Sequence, residues 1–134
     1  MTLLVYFTRG DDPGTHLTLL CTRMDHKIAR GVNLHSPSKT KGAGEEPPHA
    51  VDWGKYTEYF YFHCVFASGT DYDAAREAVK TWWRYGRMGM HIGEASEVDY
   101  ITEDYMVFVS LDGGHDSGTN EWTGIIGAAT TQAH

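Results

Sequence analysis

Two short stretches hold the side chains best suited to chemistry, His16-Leu17-Thr18 and His115-Asp116-Ser117. A histidine and a hydroxyl residue two apart on a β-strand share a face, so an imidazole nitrogen and a hydroxyl can converge on one phosphate oxygen. Two such pairs facing each other supply a general base, a general acid and two phosphate clamps. His63-Cys64-Val65 repeats the histidine without the hydroxyl. Eight histidines are present, but no helical His-x-x-x-His, no Cys-x-x-Cys and no two-histidine, one-carboxylate spacing offers a metal site. Asp112, His115 and Ser117 are hydrolase-type residues without a Gly-x-Ser-x-Gly elbow. Gly113-Gly114 is not followed by the Gly-Lys-Ser/Thr of a phosphate loop. No metal and no cofactor is expected. Cys21 and Cys64, the two cysteines, lie in apolar strand patterns and read first as buried thiols, with a bridge or a reactive cysteine as the alternatives.

In form, His16-Leu17-Thr18 resembles one half of the 2H phosphoesterase pattern, in which two His-x-Thr/Ser motifs on paired strands hydrolyse 2′,3′-cyclic or related phosphodiesters. His115-Asp116-Ser117 is the candidate second half. The resemblance rests on those six residues and implies His16 and His115 as acid and base, with Thr18 and Ser117 beside them. It requires the two imidazoles to lie within roughly 10 Å of each other, so that one phosphate touches both.

The elements that must position these groups follow from periodicity. Leu3 to Thr8 and Thr15 to Met24 are β-rich runs separated by the turn formers Arg9-Gly10-Asp11-Asp12-Pro13-Gly14, a hairpin with a longer than minimal loop. A charged turn accounts for Arg9-Gly10-Asp11. Residues 25–52 lose the alternation, and the Pro- and Gly-rich stretch at 36–50 reads as a mobile loop within one domain spanning 1–134. Tyr56 to Phe66 is the strongest strand, with Phe60, Phe62, Cys64 and Phe66 on one side. A helix is expected over about 71–85, started by Thr70 and Asp73 and stopped by Gly86. Its apolar side holds Tyr72, Ala75, Ala78, Val79, Trp82 and Trp83. Tyr100 to Leu111 alternates Tyr105, Val107, Val109 and Leu111 against Met106, Phe108 and Ser110. Trp122 to Ala129 adds a last short strand.

Strands around one clear helix predict an α+β fold, a single-domain two-layer sandwich. The amphipathic helix packs on one face of an antiparallel or mixed sheet, Trp82 and Trp83 covering Leu17, Leu19, Cys21, Phe60, Phe62 and Val107. The reverse face then presents Tyr6, Thr8, His16, Thr18, Tyr59, Tyr61 and His63, side chains that stack on planar groups and also hydrogen-bond. Tyr6, Thr8, Tyr59, Tyr61 and His63 are the candidate ligand-binding residues.

Composition narrows the function classes. The 134 residues suit one domain. A net charge of −7 opposes the phosphate contacts that nucleic-acid binding needs. It suits a basic or neutral protein partner, or a small-molecule ligand. No apolar run is long enough to span a bilayer and no leader pattern is evident, so the chain reads as a soluble protein of unassigned compartment. The leading expectation is a small binding or inhibitory module, effector-like, of the kind common among viral and secreted proteins, working through the aromatic and histidine-lined face. The rival is the phosphodiesterase built on His16, Thr18, His115 and Ser117. Oligomeric state does not follow from the sequence.

Overall fold

A computed structural model describes residues 3–35, 49–94 and 99–130. Six strands are arranged as β1 (Leu3–Arg9), β2 (Asp12–His35), β3 (His49–Phe66), β4 (Met88–Glu94), β5 (Asp99–Asp116) and β6 (Glu121–Thr130). Between β3 and β4 lie helix α1 (Gly69–Thr81) and a 3-10 turn, Trp82–Tyr85. Every strand pairing is antiparallel. The fold is thus α+β, mostly antiparallel sheet with one helix.

The sheet does not lie open beneath the helix as a sandwich. It closes into a barrel in the order β1-β2-β3-β6-β5-β4. Closure depends on β4, a strand that glycines at 89 and 93 conceal in the sequence. Met88, Met90 and Ile92 alternate inward and are buried, and at Gly89 between them an added Cβ would meet the Thr8 hydroxyl at 2.5 Å. β4 pairs with β1 on one side and β5 on the other. In a barrel this small the inward side chains fill the middle. Val5, Phe7, Leu19, Cys21, Phe60, Phe62, Cys64, Met90, Met106 and Ile126 are all buried there, and Phe7 lies 5.9 Å from Phe62 and 4.7 Å from Phe108, ring centre to ring centre.

Helix α1 packs Ala75 and Ala78 into the same core. Ser68, not Thr70, caps it, its hydroxyl accepting from the Asp71 amide at 3.3 Å. The helical chain then tightens into the 3-10 turn, and the change of pitch separates the paired tryptophans. Trp82 is buried against Phe108. Trp83, expected beside it, is 68% exposed. Gly86 ends the segment with φ of 87°, a conformation that favours glycine.

Two bulges reset the alternation. Thr22 is unpaired between Cys21↔Cys64 and Arg23↔His63, so the inward positions on β2 change from odd to even and Met24 joins the core. On β5, Val109 is unpaired between Phe108↔Ala128 and Ser110↔Gly127. Met106, Phe108 and Leu111 therefore face the core, whereas Tyr105 and Val109 are exposed. Val107, expected under the helix, faces out.

Residues 25–35 and 49–52, expected as irregular, instead extend β2 and β3 as a two-stranded arm, with His35 opposite His49. Residues 36–48 of the expected 36–50 loop lie outside the described residues, and 49 and 50 begin β3. The first hairpin is tighter than expected, since Arg9 pairs with Asp12 across Gly10-Asp11. A Cβ on Gly10 would meet the carbonyl oxygens of Tyr85 and Arg87 at 2.4 and 2.5 Å. Arg9 bonds Asp11 at 2.6 Å and lies 4.1 Å over the Tyr85 ring. This turn is docked on the end of the 3-10 segment.

Because those carbonyls are backbone, Gly10→Ala is expected to destabilise by about 1–3 kcal/mol. Gly14→Ala, which meets only the Asp12 carboxylate, should stay within about 0.5 kcal/mol of the parent. Urea midpoints of the two variants check the pair.

Candidate functional site

The interior is occupied by side chains, so the site is built on the outer surface. Tyr6, Thr8, His16 and Thr18 stand together on β1 and β2, with Tyr6 opposite Thr18 and Thr8 opposite His16. His91 of β4 joins them, its ring stacked on Tyr6 at 4.6 Å and 10°. The His16 ring meets Tyr6 edge-on at 6.2 Å. Tyr59, Tyr61 and His63 form a second group on β3, opposite Lys27, Asp25 and Arg23 of β2. Tyr61 lies against Gly127, where an added Cβ would come within 3.1 Å of its ring.

The two groups share the outer face without touching. Between them runs an apolar row set by register, Leu4 opposite Leu20 and Leu20 opposite Val65. Leu20 is 50% exposed and Val65 40%. A cleft lies on either side of Val65, which lines both. The smaller, of about 380 Å³, also takes Leu4, His16, Thr18, Ala67, Asp71 and Ala74. The larger, of about 570 Å³, is walled by His63, Thr123, Ile125, Asp112, His115 and Asp116 and floored by Gly113, Gly114 and Gly124.

His63 is anchored by a carboxylate on the neighbouring strand. Its Nε2 lies 3.0 Å from Asp25 Oδ2, and Arg23 also reaches Asp25, Nη2 to Oδ1, at 3.0 Å. The hydrogen bond with His63, with Arg23 beside it, holds the Asp25 carboxyl below the usual carboxylate range. The bulge at Thr22 makes this contact possible, because it turns Asp25 outward onto the face of His63. Sequence alternation alone carries Asp25 inward, so it was missed.

His16 and His115 line different clefts. Gly114, Thr123, Val65 and Leu20 form one row across β5, β6, β3 and β2. His16, four residues from Leu20, shares that row's outward face; His115, next to Gly114, has the opposite parity. Three inter-strand steps separate their strands by roughly 14 Å along the sheet. His115 is engaged locally, its ring 4.6 Å from Trp122 and its Nε2 2.8 Å from Asn120 Oδ1. Ser117 belongs to the exposed turn after β5, where the Gly118 amide donates to Asp116 Oδ1 at 2.9 Å. The four residues thus divide between two sites, His16 and Thr18 at one, His115 and Ser117 at the other.

Among the described residues no group of three or more His, Cys, Asp and Glu side chains is gathered to hold a metal ion. No helix among them is long and apolar enough to cross a membrane. Compared with known proteins, the chain matches no family model and no characterised sequence.

A group whose folded pKa is depressed adds stability above its ordinary pKa and loses it as pH falls through the folded value. Asp25 is of that kind. Its carboxyl carbon shift, followed by NMR, should titrate below that of an unperturbed aspartate, and His63→Ala should move the midpoint upward. An unchanged midpoint in that variant would show that His63 does not set it.

Proposed function

We propose that this chain is a binding or inhibitory module that recognises a protein partner through the outer barrel face running from β1 across β2, β3 and β6 to β5. The observation that carries this reading is the exposed Leu20 and Val65 ridge with a cleft on each side. Exposed apolar groups bordered by polar concavities are a usual mark of protein recognition. A partner segment crossing the strands would place an apolar side chain on the ridge.

Carboxylates border both clefts. Asp71 lines one, and Asp112 and Asp116 line the other. With a net charge of −7, they favour lysine or arginine on the partner. Tyr6, His16, Tyr61 and His63 flank the ridge as groups that stack and hydrogen-bond. Thr8 and Tyr59 extend the two flanking groups. A phosphodiesterase reading is not carried further, since it needs His16 and His115 on one phosphate.

The test uses the full chain with a panel of synthetic peptides that alternate apolar and basic residues, set against acidic counterparts. Basic peptides should perturb amide signals at Leu20, Val65, His63 and Asp112. Val65→Asp with Leu20→Asp should weaken binding about 30-fold or more, the scale of losing a central anchor. The thermal midpoint should fall only modestly, because Leu20 and Val65 are 50% and 40% exposed. Perturbations confined to other surfaces, or equal binding of acidic peptides, would overturn the reading.

A further inference from the structure

The only two cysteines in the chain are direct register partners, Cys21 on β2 opposite Cys64 on β3. Their sulfurs lie 3.5 Å apart in the core. We propose that Cys21 and Cys64 are a disulfide site, oxidised by exchange with a small-molecule disulfide before the core closes, which straps β2 to β3 at the base of the arm. Cross-strand partners have Cα atoms roughly 4.5–5.5 Å apart, within the span a disulfide accepts, so side-chain rotation closes the gap without moving the backbone.

Timing follows from the surroundings. Both thiols are buried. The contact with Cys64 and burial push the Cys21 thiol well up, and a thiol held protonated is a poor nucleophile. Exchange therefore belongs to the open chain. Cys21 thiolate attacks one sulfur of oxidised glutathione, forming a mixed disulfide and releasing one glutathione thiolate. Cys64 thiolate then attacks the Cys21 sulfur and displaces the second. The two protons lost by the cysteines end on the two released glutathiones, and the two electrons reduce the glutathione disulfide.

The bond would close a loop across a sequence separation of 43 residues, containing the whole arm and residues 36–48. Limiting the unfolded chain in this way raises the melting temperature by on the order of 10 °C. Once folded, the same burial keeps reductants out. The bridge would then record the redox compartment in which the chain folded.

To test this, the reduced full chain is unfolded, refolded in an equimolar mixture of reduced and oxidised glutathione, then denatured and alkylated. The expected product is a monomer about 2 Da lighter than the reduced chain, taking up no alkyl group and melting above a sample refolded in reductant. Cys21→Ala with Cys64→Ala should melt alike in both buffers. If that variant fails to fold, the mass of the parent chain still decides. Two alkylated thiols, a retained glutathione or an interchain dimer as the main product would each overturn the proposal.

Discussion

The ladder between β1 and β4 is the constraint on which the remaining structure depends. Phe7 sits opposite Leu17 on one side and Met90 on the other. Without the second pairing β1 and β4 become the free edges of an open sheet, and the apolar sides of those two strands lose a covering neighbour. With it, the inward rows of all six strands become one core. Burial of a large apolar side chain is worth about 1.5–3 kcal/mol, so closure gathers enough of them to offset the entropy of ordering so many strand residues. The same closure leaves only the outside open to another molecule, since the middle is filled with rings and thioethers.

Parity then decides what the outside displays. A strand's faces exchange whenever one residue is left unpaired. Thr22 performs that exchange on β2. Before it, odd residues face the core; after it, even residues do, and Arg23, Asp25 and Lys27 come out beside His63, Tyr61 and Tyr59. The Asp25 and His63 contact is thus a product of one bulge. Val109 does the same on β5, bringing Leu111 to the core side and leaving Asp112 beside the larger cleft.

Much of the fold could be read from alternation alone. β1, the first half of β2 and the Tyr56 to Phe66 part of β3 have an uninterrupted period of two, and the helical segment has an apolar side before its stop at Gly86. What could not be read has physical causes. β4 was hidden because Gly89 answers to the Thr8 hydroxyl, a contact made only after the barrel closes. Trp83 left the core because a 3-10 turn rotates it away from Trp82, and Val107 changed sides because a bulge is invisible in a pattern of apolar residues. Tyr6, Thr8, His16, Thr18, Tyr59, Tyr61 and His63 were legible as one outward set. Their division into two groups was not, since the apolar row between them needs the register of three strands.

That register also bears on the choice between chemistry and recognition. Catalysis by two histidines demands that both reach one atom, so an error of a single residue in parity defeats it, and His16 and His115 differ in parity as well as in strand. Recognition asks for less. It needs neighbouring groups on one continuous face, and Leu4, Leu20 and Val65 are neighbours by direct pairing, with acids at the clefts on either side. Imidazoles on this surface are already placed by their neighbours, His91 on Tyr6 and His63 by Asp25. Rings held in that way would have little further freedom to lose to a bound molecule, which would lower the entropic cost of binding.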